Sequence, residues 1–215
     1  MKQLDYGQTR AMLLYVSEQI VAAKALLTEI DGRIGDGDHG IGMERGMKKA
    51  GEKLASMEDG DDVYTLFSEM GKTMLMSMGG ASGVIFGTLF MGGAKGRQPS
   101  PALDCAALSA LLEESLRQIQ ARGKAQVGDK TMVDALEPAV RKMRAYGGDD
   151  LAELLAQAEE AARKGMEDTK AYRAKYGRAK SLMERAVGHQ DAGATSTWII
   201  FRAMSEFVSG LQEGK

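Results

Sequence analysis

A single cysteine in 215 residues, Cys105, has no partner for an internal disulfide and excludes a thiolate zinc cluster. Basic excess is missing as well. Against 30 aspartates and glutamates stand 28 lysines and arginines, so the chain lacks the positive charge that nucleic acid or an anionic membrane surface demands. A small molecule or another protein is the expected partner. No apolar run approaches the roughly 20 residues that cross a bilayer. The opening MKQLDYGQTR carries no apolar signal core, so a cytoplasmic protein is expected. Three prolines and no low-complexity tract give no sign of disorder. The length is enough to bury a full core, in one large domain or two small ones.

What fills the chain instead is helical periodicity. From Thr9 to Ile30, Leu13, Val16, Ile20 and Leu27 recur near one stripe with no glycine or proline among them, which predicts a first helix. The pattern repeats from about Gly42 to Met57, from Val63 to Ser77 and from Ser82 to Lys95, with glycine-rich breaks between. Ser100 as N-cap and Pro101 at the first helical position predict a helix with Leu108, Leu112, Leu116 and Ile119 on one face, stopping at Gly123. Asp129 is placed to cap the next helix, which runs to Tyr146. An alanine-rich helix follows from Asp150 into the 170s. The last spans about Ala192 to Leu211, with Trp198, Phe201, Met204, Val208 and Leu211 inward. No strand-like alternation is seen. About eight helices on short connections predict an all-α bundle or closed barrel of antiparallel neighbours, one domain over residues 1–215. The fifteen methionines read as adaptable core filler rather than soft-metal ligands.

Glycine gathers in IGDGDHGIG, MGGASG, RGKAQVGDKTM and VGHQDAGATS, each at a break between helices. One such glycine needs only a turn to explain it. Alternate loops of an antiparallel bundle share an end, however, and helix N-termini there present free N–H groups that a phosphate can approach closely over glycine. The four turns could therefore form one phosphate site, with GGASG entering a helix at Ser82 best suited to it. No Walker pattern is present. Asp31, Asp36 and Asp38 offer only hard oxygen ligands, which favour Mg²⁺ or Ca²⁺ over zinc or copper. A calcium EF-hand is excluded, because counting from Asp36 puts Ile41 where its glycine must be and Met47 where its glutamate must be. Like charges about 4 Å apart repel by about 4 kcal/mol at an effective dielectric of about 20. A divalent ion between them reverses the sign. Two readings of the acidic loop stand: Mg²⁺ bridging carboxylates and nucleotide phosphates, or a solvated loop that caps a helix.

In this order and at these separations, IGDGDHG, GGASG, RGKAxxGDKTM and GRAxxxxERxxGHQDxGATS resemble the L subunit of dihydroxyacetone kinase, its nucleotide-binding component, over essentially the whole chain. The resemblance implies an eight-helix barrel holding ADP or ATP at one end through two Mg²⁺ ions on Asp31, Asp36 and Asp38. It implies nucleotide contacts at His39, Gly40, Ile41, Gly42, Ala81, Ser82, Gly123, Met132, Arg178, Asp191, Ala192 and Gly193. The chemistry of Ser82 at phosphate, of Arg178 as a permanent cation and of Met132 against adenine agrees with this. Three positions depart from the family pattern: Gly42 where many relatives have Asn, and Val84 and Ala192 where many have Pro. Gly42 removes an amide that could meet a phosphate, so altered affinity or partner choice is expected, with nucleotide binding kept. His39 is expected to be a contact rather than a phosphohistidine, and His189 to support its turn.

The implied activity is phosphoryl transfer from bound nucleotide to a short hydroxyketone, dihydroxyacetone or an analogue such as erythrulose. The ketone is expected on a separate K subunit, which leaves this chain inactive alone. The donor is ATP, or ADP recharged by a phosphohistidine carrier of the phosphotransferase system, with the carrier favoured. No side chain is assigned as a catalytic acid, base or nucleophile; positioning and metal supply the catalysis. Self-association as a homodimer stays open. A function of a different class is a nucleotide-loaded regulatory module, or a domain serving another kinase of the fatty-acid kinase type.

Overall fold

The computed structural model describes residues 1–214. Strand β1 (Gln3–Asp5) leads into α1 (Tyr6–Ala22), α2 (Lys24–Ile34), α3 (His39–Ala55), α4 (Val63–Met78) and α5 (Gly80–Met91). Strand β2 (Ala102–Asp104) then precedes α6 (Cys105–Gly123), α7 (Val133–Ala145), α8 (Leu151–Asp168) and α9 (Ala192–Glu213). Between α8 and α9 lie two 3₁₀ segments, Thr169–Ala171 and Arg178–Ala186. The all-α expectation holds, with four local differences.

The predicted first helix is broken at Ala23, where the chain bends by 55° between α1 and α2. No glycine or proline lies at the break, so the bend is imposed by packing, with α2 turned onto α3 and α9. Among the described residues no single helix is long and apolar enough to cross a membrane, and the apolar side chains of this bent pair, Met12, Leu13, Val16, Ile20 and Leu27, are buried. The second difference is a pair of three-residue strands. β1 and β2 run antiparallel with Leu4 opposite Leu103, both fully buried. Pairing takes Ser100–Asp104 out of the predicted helix. Asp104, not Ser100, accepts from the backbone of α6, while the Ser100 hydroxyl donates to the Ala102 carbonyl. Third, Asp129 does not cap α7; it accepts from the Gln126 N–H at 2.8 Å and pairs with Lys175 at 2.6 Å. Fourth, Trp198 and Leu211 sit half-buried at the margin of the core, and the Trp198 indole donates to Glu159.

The neighbour order of the helices is cyclic. α1 packs on α3, and each of α3 to α8 packs on the next helix in the chain; α9 returns to α1. Leu13, Val16, Met43, Phe67, Phe90, Leu112, Leu155 and Phe201 belong to the core this arrangement encloses. Methionine serves it as expected, with Met12, Met47, Met70 and Met74 buried.

Four helices begin at one end of the molecule. The β1–β2 pair joins the starts of α1 and α6, the Val63 N–H bonds to Ser100 O, and the Leu151 N–H bonds to Met1 O. Each start carries an aspartate N-cap: Asp5 on Gln8 N, Asp62 on Tyr64 N, Asp104 on Ala107 N and Asp150 on Ala152 N, at 2.7 to 3.1 Å. α3, α5, α7 and α9 begin at the opposite end. There only α9 has a capping side chain, Asp191.

Candidate functional site

That second end opens into a cleft of about 810 Å³. The segments that line it are the last turn of α2 with the loop to α3, the turn from α4 into α5, the residues before α7, and the chain on both sides of the α9 start. Of the residues singled out from sequence, Asp31, Asp36, Asp38, His39, Ile41, Gly42, Ala81, Ser82, Met132, Arg178, Asp191, Ala192 and Gly193 all line the cleft. Two do not. Gly40 is buried against α2, where a Cβ would stand 2.3 Å from Thr28 Oγ1 and 2.4 Å from the Lys24 carbonyl; it lets α3 and α2 touch. Gly123 closes α6 one layer behind the wall, facing the cleft residue Ile85.

The three aspartates converge. One carboxylate oxygen from each lies within 4.8 Å of the others. Asp31 comes from the last turn of α2, and its carboxylate folds over Gly35, where a Cβ would collide with it at 2.3 Å. Its Oδ2 accepts from the His39 N–H at 3.2 Å. Asp36 pairs with Arg178 Nε at 2.9 Å. Burial holds the Asp38 carboxyl above the usual carboxylate range, helped by the negative charges of Asp36 and Asp31 and opposed by Arg178. An all-carboxylate set this tight, short of positive charge, fits a hard divalent cation.

Beside the aspartates are the helix starts. Asp38, Gly79 and Met132 precede α3, α5 and α7 and place no side chain of their own on the helix; the His39 N–H goes to Asp31 and the Val133 N–H to Thr131 Oγ1 at 3.2 Å, and the other first-turn N–H groups take no side chain. Gly79 and Gly80, at φ +71° and +61°, make the tight turn that delivers Ala81 and Ser82 to the cleft. Together with three cations that line the wall, Arg45, Lys130 and Arg178, these donors make an anion-receiving surface.

The buried groups complete the floor. The His39 ring lies against Phe86 and bonds through Nε2 to Ser196 Oγ at 2.8 Å; burial lowers its pKa, against the charge of Asp31. Asp191 accepts from the Ala194 N–H at 2.7 Å. Burial pushes its carboxyl up to about 7, with Asp134 and Asp31 adding to the rise and the Ala194 N–H and Lys130 opposing it. His189 lies outside the cleft and gives its carbonyl to Lys130.

Residues 33–206 match the DAK2 domain family. The chain belongs to that family. Two relatives resemble this DAK2 domain over nearly their whole length. The ADP-binding subunit DhaL of PEP-dependent dihydroxyacetone kinase 1 from Listeria innocua is 37% identical over 187 residues, 87% of this chain and 89% of that protein. The ADP-binding subunit DhaL of the PTS-dependent dihydroxyacetone kinase from Lactococcus lactis is 36% identical, covering 90% of this chain and 93% of that one. Among solved structures, the native dihydroxyacetone kinase of C. freundii superposes with a TM-score of 0.73 at 26% identity over 92% of this chain. The DAK2 domain here spans 34% of that longer chain. A second structure of that kinase, in complex with AMP-PNP and Mg²⁺, gives the same TM-score at 24% identity.

Sequence reasoning missed Arg45, Lys130 and Tyr176 among the lining residues. Lys130 stands inside the quoted GDKTM, but nothing in its spacing tells an inward lysine from a solvated one. Arg45, on α3 two turns past His39, carries no local signal at all.

Proposed function

We propose that this chain is the nucleotide-binding subunit of a kinase for dihydroxyacetone or a related short hydroxyketone. The observation that carries this reading is the meeting, in one cleft, of a three-carboxylate cluster with three uncapped helix starts. Asp31, Asp36 and Asp38 would hold magnesium, two ions in the family pattern, and bound metal supplies neutralisation of phosphate charge. The α5 start, with Ser82, donates to phosphate oxygens. Arg178 and Arg45 add fixed positive charge, and Met132 gives the base an apolar contact. These groups orient the terminal phosphate and exclude water from it; none need exchange a proton with substrate.

The ketone is held by a separate K subunit that docks over the mouth. The exposed apolar side chain of the cleft residue Ile41, at 50% exposure, supports this. The relatives' PEP-dependent and PTS-dependent names favour retained ADP that a phosphohistidine carrier recharges. His39, engaged by Ser196, is a contact and not a phosphoryl acceptor.

The test mixes the purified chain with a cognate K subunit and dihydroxyacetone, with either ATP or a phosphocarrier system as donor, and follows dihydroxyacetone phosphate. Turnover is expected only when both proteins are present, and faster with the carrier. Steady phosphorylation by this chain alone would overturn the division of labour. Absence of turnover in both arms, together with a chain that binds no nucleotide, would overturn the reading itself.

A further inference from the structure

Lys130 is an unusual lysine. Its side chain is buried, with the residue 1% exposed, although it lines the cleft, and its backbone is in the left-handed region at φ +60°. A residue other than glycine holds that conformation only where its surroundings dictate it. The surroundings here are three loop segments. The Lys130 ammonium donates to the Thr169 carbonyl at 2.6 Å, just past the end of α8, and to the His189 carbonyl, two residues before the Asp191 cap of α9. Asp191 and Asp134 are the carboxylates near it. Further bonds run between the same segments: the Asp191 N–H to Thr169 Oγ1, the Gly188 N–H to the Lys170 carbonyl, and the Lys175 N–H to the Asp129 carbonyl. Asp134 gathers the loop of Lys130 itself, accepting from the Gly128 and Thr131 N–H groups.

A cation at the carbonyl end of α8 is favourably placed, and two carbonyl acceptors plus a neighbouring carboxylate offset the cost of burying it. An ammonium has three donors, and the two carbonyls take two. Such a group does more than fill space: it fixes the distance between the end of α8 and the start of α9, while its own loop delivers Thr131 and Met132 to the cleft.

We propose that Lys130 is a positioning residue for the nucleotide, its ammonium clamping the α8 end to the α9 start and so setting the cleft floor formed by Met132, Asp191, Ala192 and Gly193. The hydrogen bonds of the clamp go to the Thr169 and His189 carbonyls and involve none of Asp31, Asp36 and Asp38. The clamp therefore acts on nucleotide affinity and not on metal affinity. This inference rests on the nucleotide-binding reading above.

The experiment compares the full chain with Lys130→Met, which keeps the stem and removes the charge, Lys130→Gly, which relieves the backbone and removes the side chain, and Lys130→Arg, which keeps a cation. ADP affinity with Mg²⁺ is read by calorimetry, Mn²⁺ binding without nucleotide by electron paramagnetic resonance, and local opening by hydrogen exchange. Met and Gly variants are expected to lose about tenfold or more in ADP affinity, with Mn²⁺ affinity unchanged within about twofold, and Arg to restore most of the loss. Exchange should quicken in residues 169–177 and 186–193 and stay as in wild type at the opposite end, residues 56–62. Unchanged ADP affinity in Lys130→Met, an equal loss of Mn²⁺ affinity, or uniformly faster exchange would overturn the proposal. So would failure of both the Met and Gly variants to fold while Arg folds, since the ammonium would then serve the fold rather than the cleft. If wild type binds no ADP, the functional reading fails, and the exchange pattern still decides whether the clamp exists.

Discussion

The two ends of the molecule use the same device differently. At the strand end, α1, α4, α6 and α8 each start under an aspartate that bonds to their own first turn. At the cleft end four more helices start, three of them without a capping side chain, and the aspartates there point at one another instead. Caps typically contribute about 1 kcal/mol each. One end therefore turns its carboxylates onto its own helices, and the other gathers carboxylates and backbone donors around the cleft. Asp191 belongs to both groups, since it caps α9 and lines the cleft.

If the contrast is right, substitutions at the two ends should separate binding from stability. The largest effect is expected for Asp36→Asn: Mg²⁺-dependent ADP affinity should fall about a thousandfold, roughly 4 kcal/mol, with the melting temperature unchanged or slightly raised by relief of carboxylate repulsion. Calorimetry with and without chelator checks it, and equal affinity in wild type and variant would make the acidic loop a solvated turn.

Next comes Asp191, where the two roles meet. Its folded pKa of about 7 lies above its ordinary 3.8. The fold therefore holds that proton more tightly than the unfolded chain does, so the contribution of Asp191 to stability is full below about pH 4 and is lost toward pH 7, by up to roughly 4 kcal/mol. Denaturant melts of nucleotide-free wild type and Asp191→Asn across this range should show the wild type losing stability relative to the variant as pH rises from about 4 to about 7.

At the strand end Asp62→Ala should cost about 1 kcal/mol and lower the melting temperature by about 2–4 °C. ADP affinity should not move; a change there would mean that the two ends are coupled. The smallest effect on stability is expected for Arg178→Ala, because its pair with Asp36 is exposed and contributes about 0.5 kcal/mol or less. It should weaken ADP binding about fivefold to tenfold while slightly tightening Mn²⁺ binding in the absence of nucleotide, since Asp36 is then freed.

Much of this division was legible from sequence because it depends on local pattern. Apolar stripes gave the helices, and glycine with aspartate marked the turns where they end. What escaped depends on contacts between distant residues. The break at Ala23 has no glycine or proline beside it and follows from where α2 must pack. Ser100–Asp104 reads as a helix start until β1, a hundred residues earlier, pairs with it. Gly40, a nucleotide contact by the family resemblance, is also a point of contact between α2 and α3, and Asp129, read as a cap, turned to Lys175. The inward course of Lys130 needs the carbonyls of Thr169 and His189, which the linear sequence cannot bring together.

The alternation of helix direction has a kinetic consequence. Helix dipoles running up and down the molecule largely cancel at a distance, so the free N–H groups of the cleft attract an anion only once it is within the last turn of each helix. Farther out, an approaching anion meets the charge of the side chains: Asp31, Asp36 and Asp38 on one side, Arg45 and Arg178 against them, on a chain whose net charge is −2. Under the proposed function the acidic cluster opposes bare ADP more than its magnesium complex, and added salt should quicken association of the bare form by screening that repulsion. A magnesium-laden nucleotide carries less charge and should arrive at a rate nearly independent of salt. On the proposed function, the acidic cluster would then favour the form in which the nucleotide is delivered, before any contact within the cleft has been made.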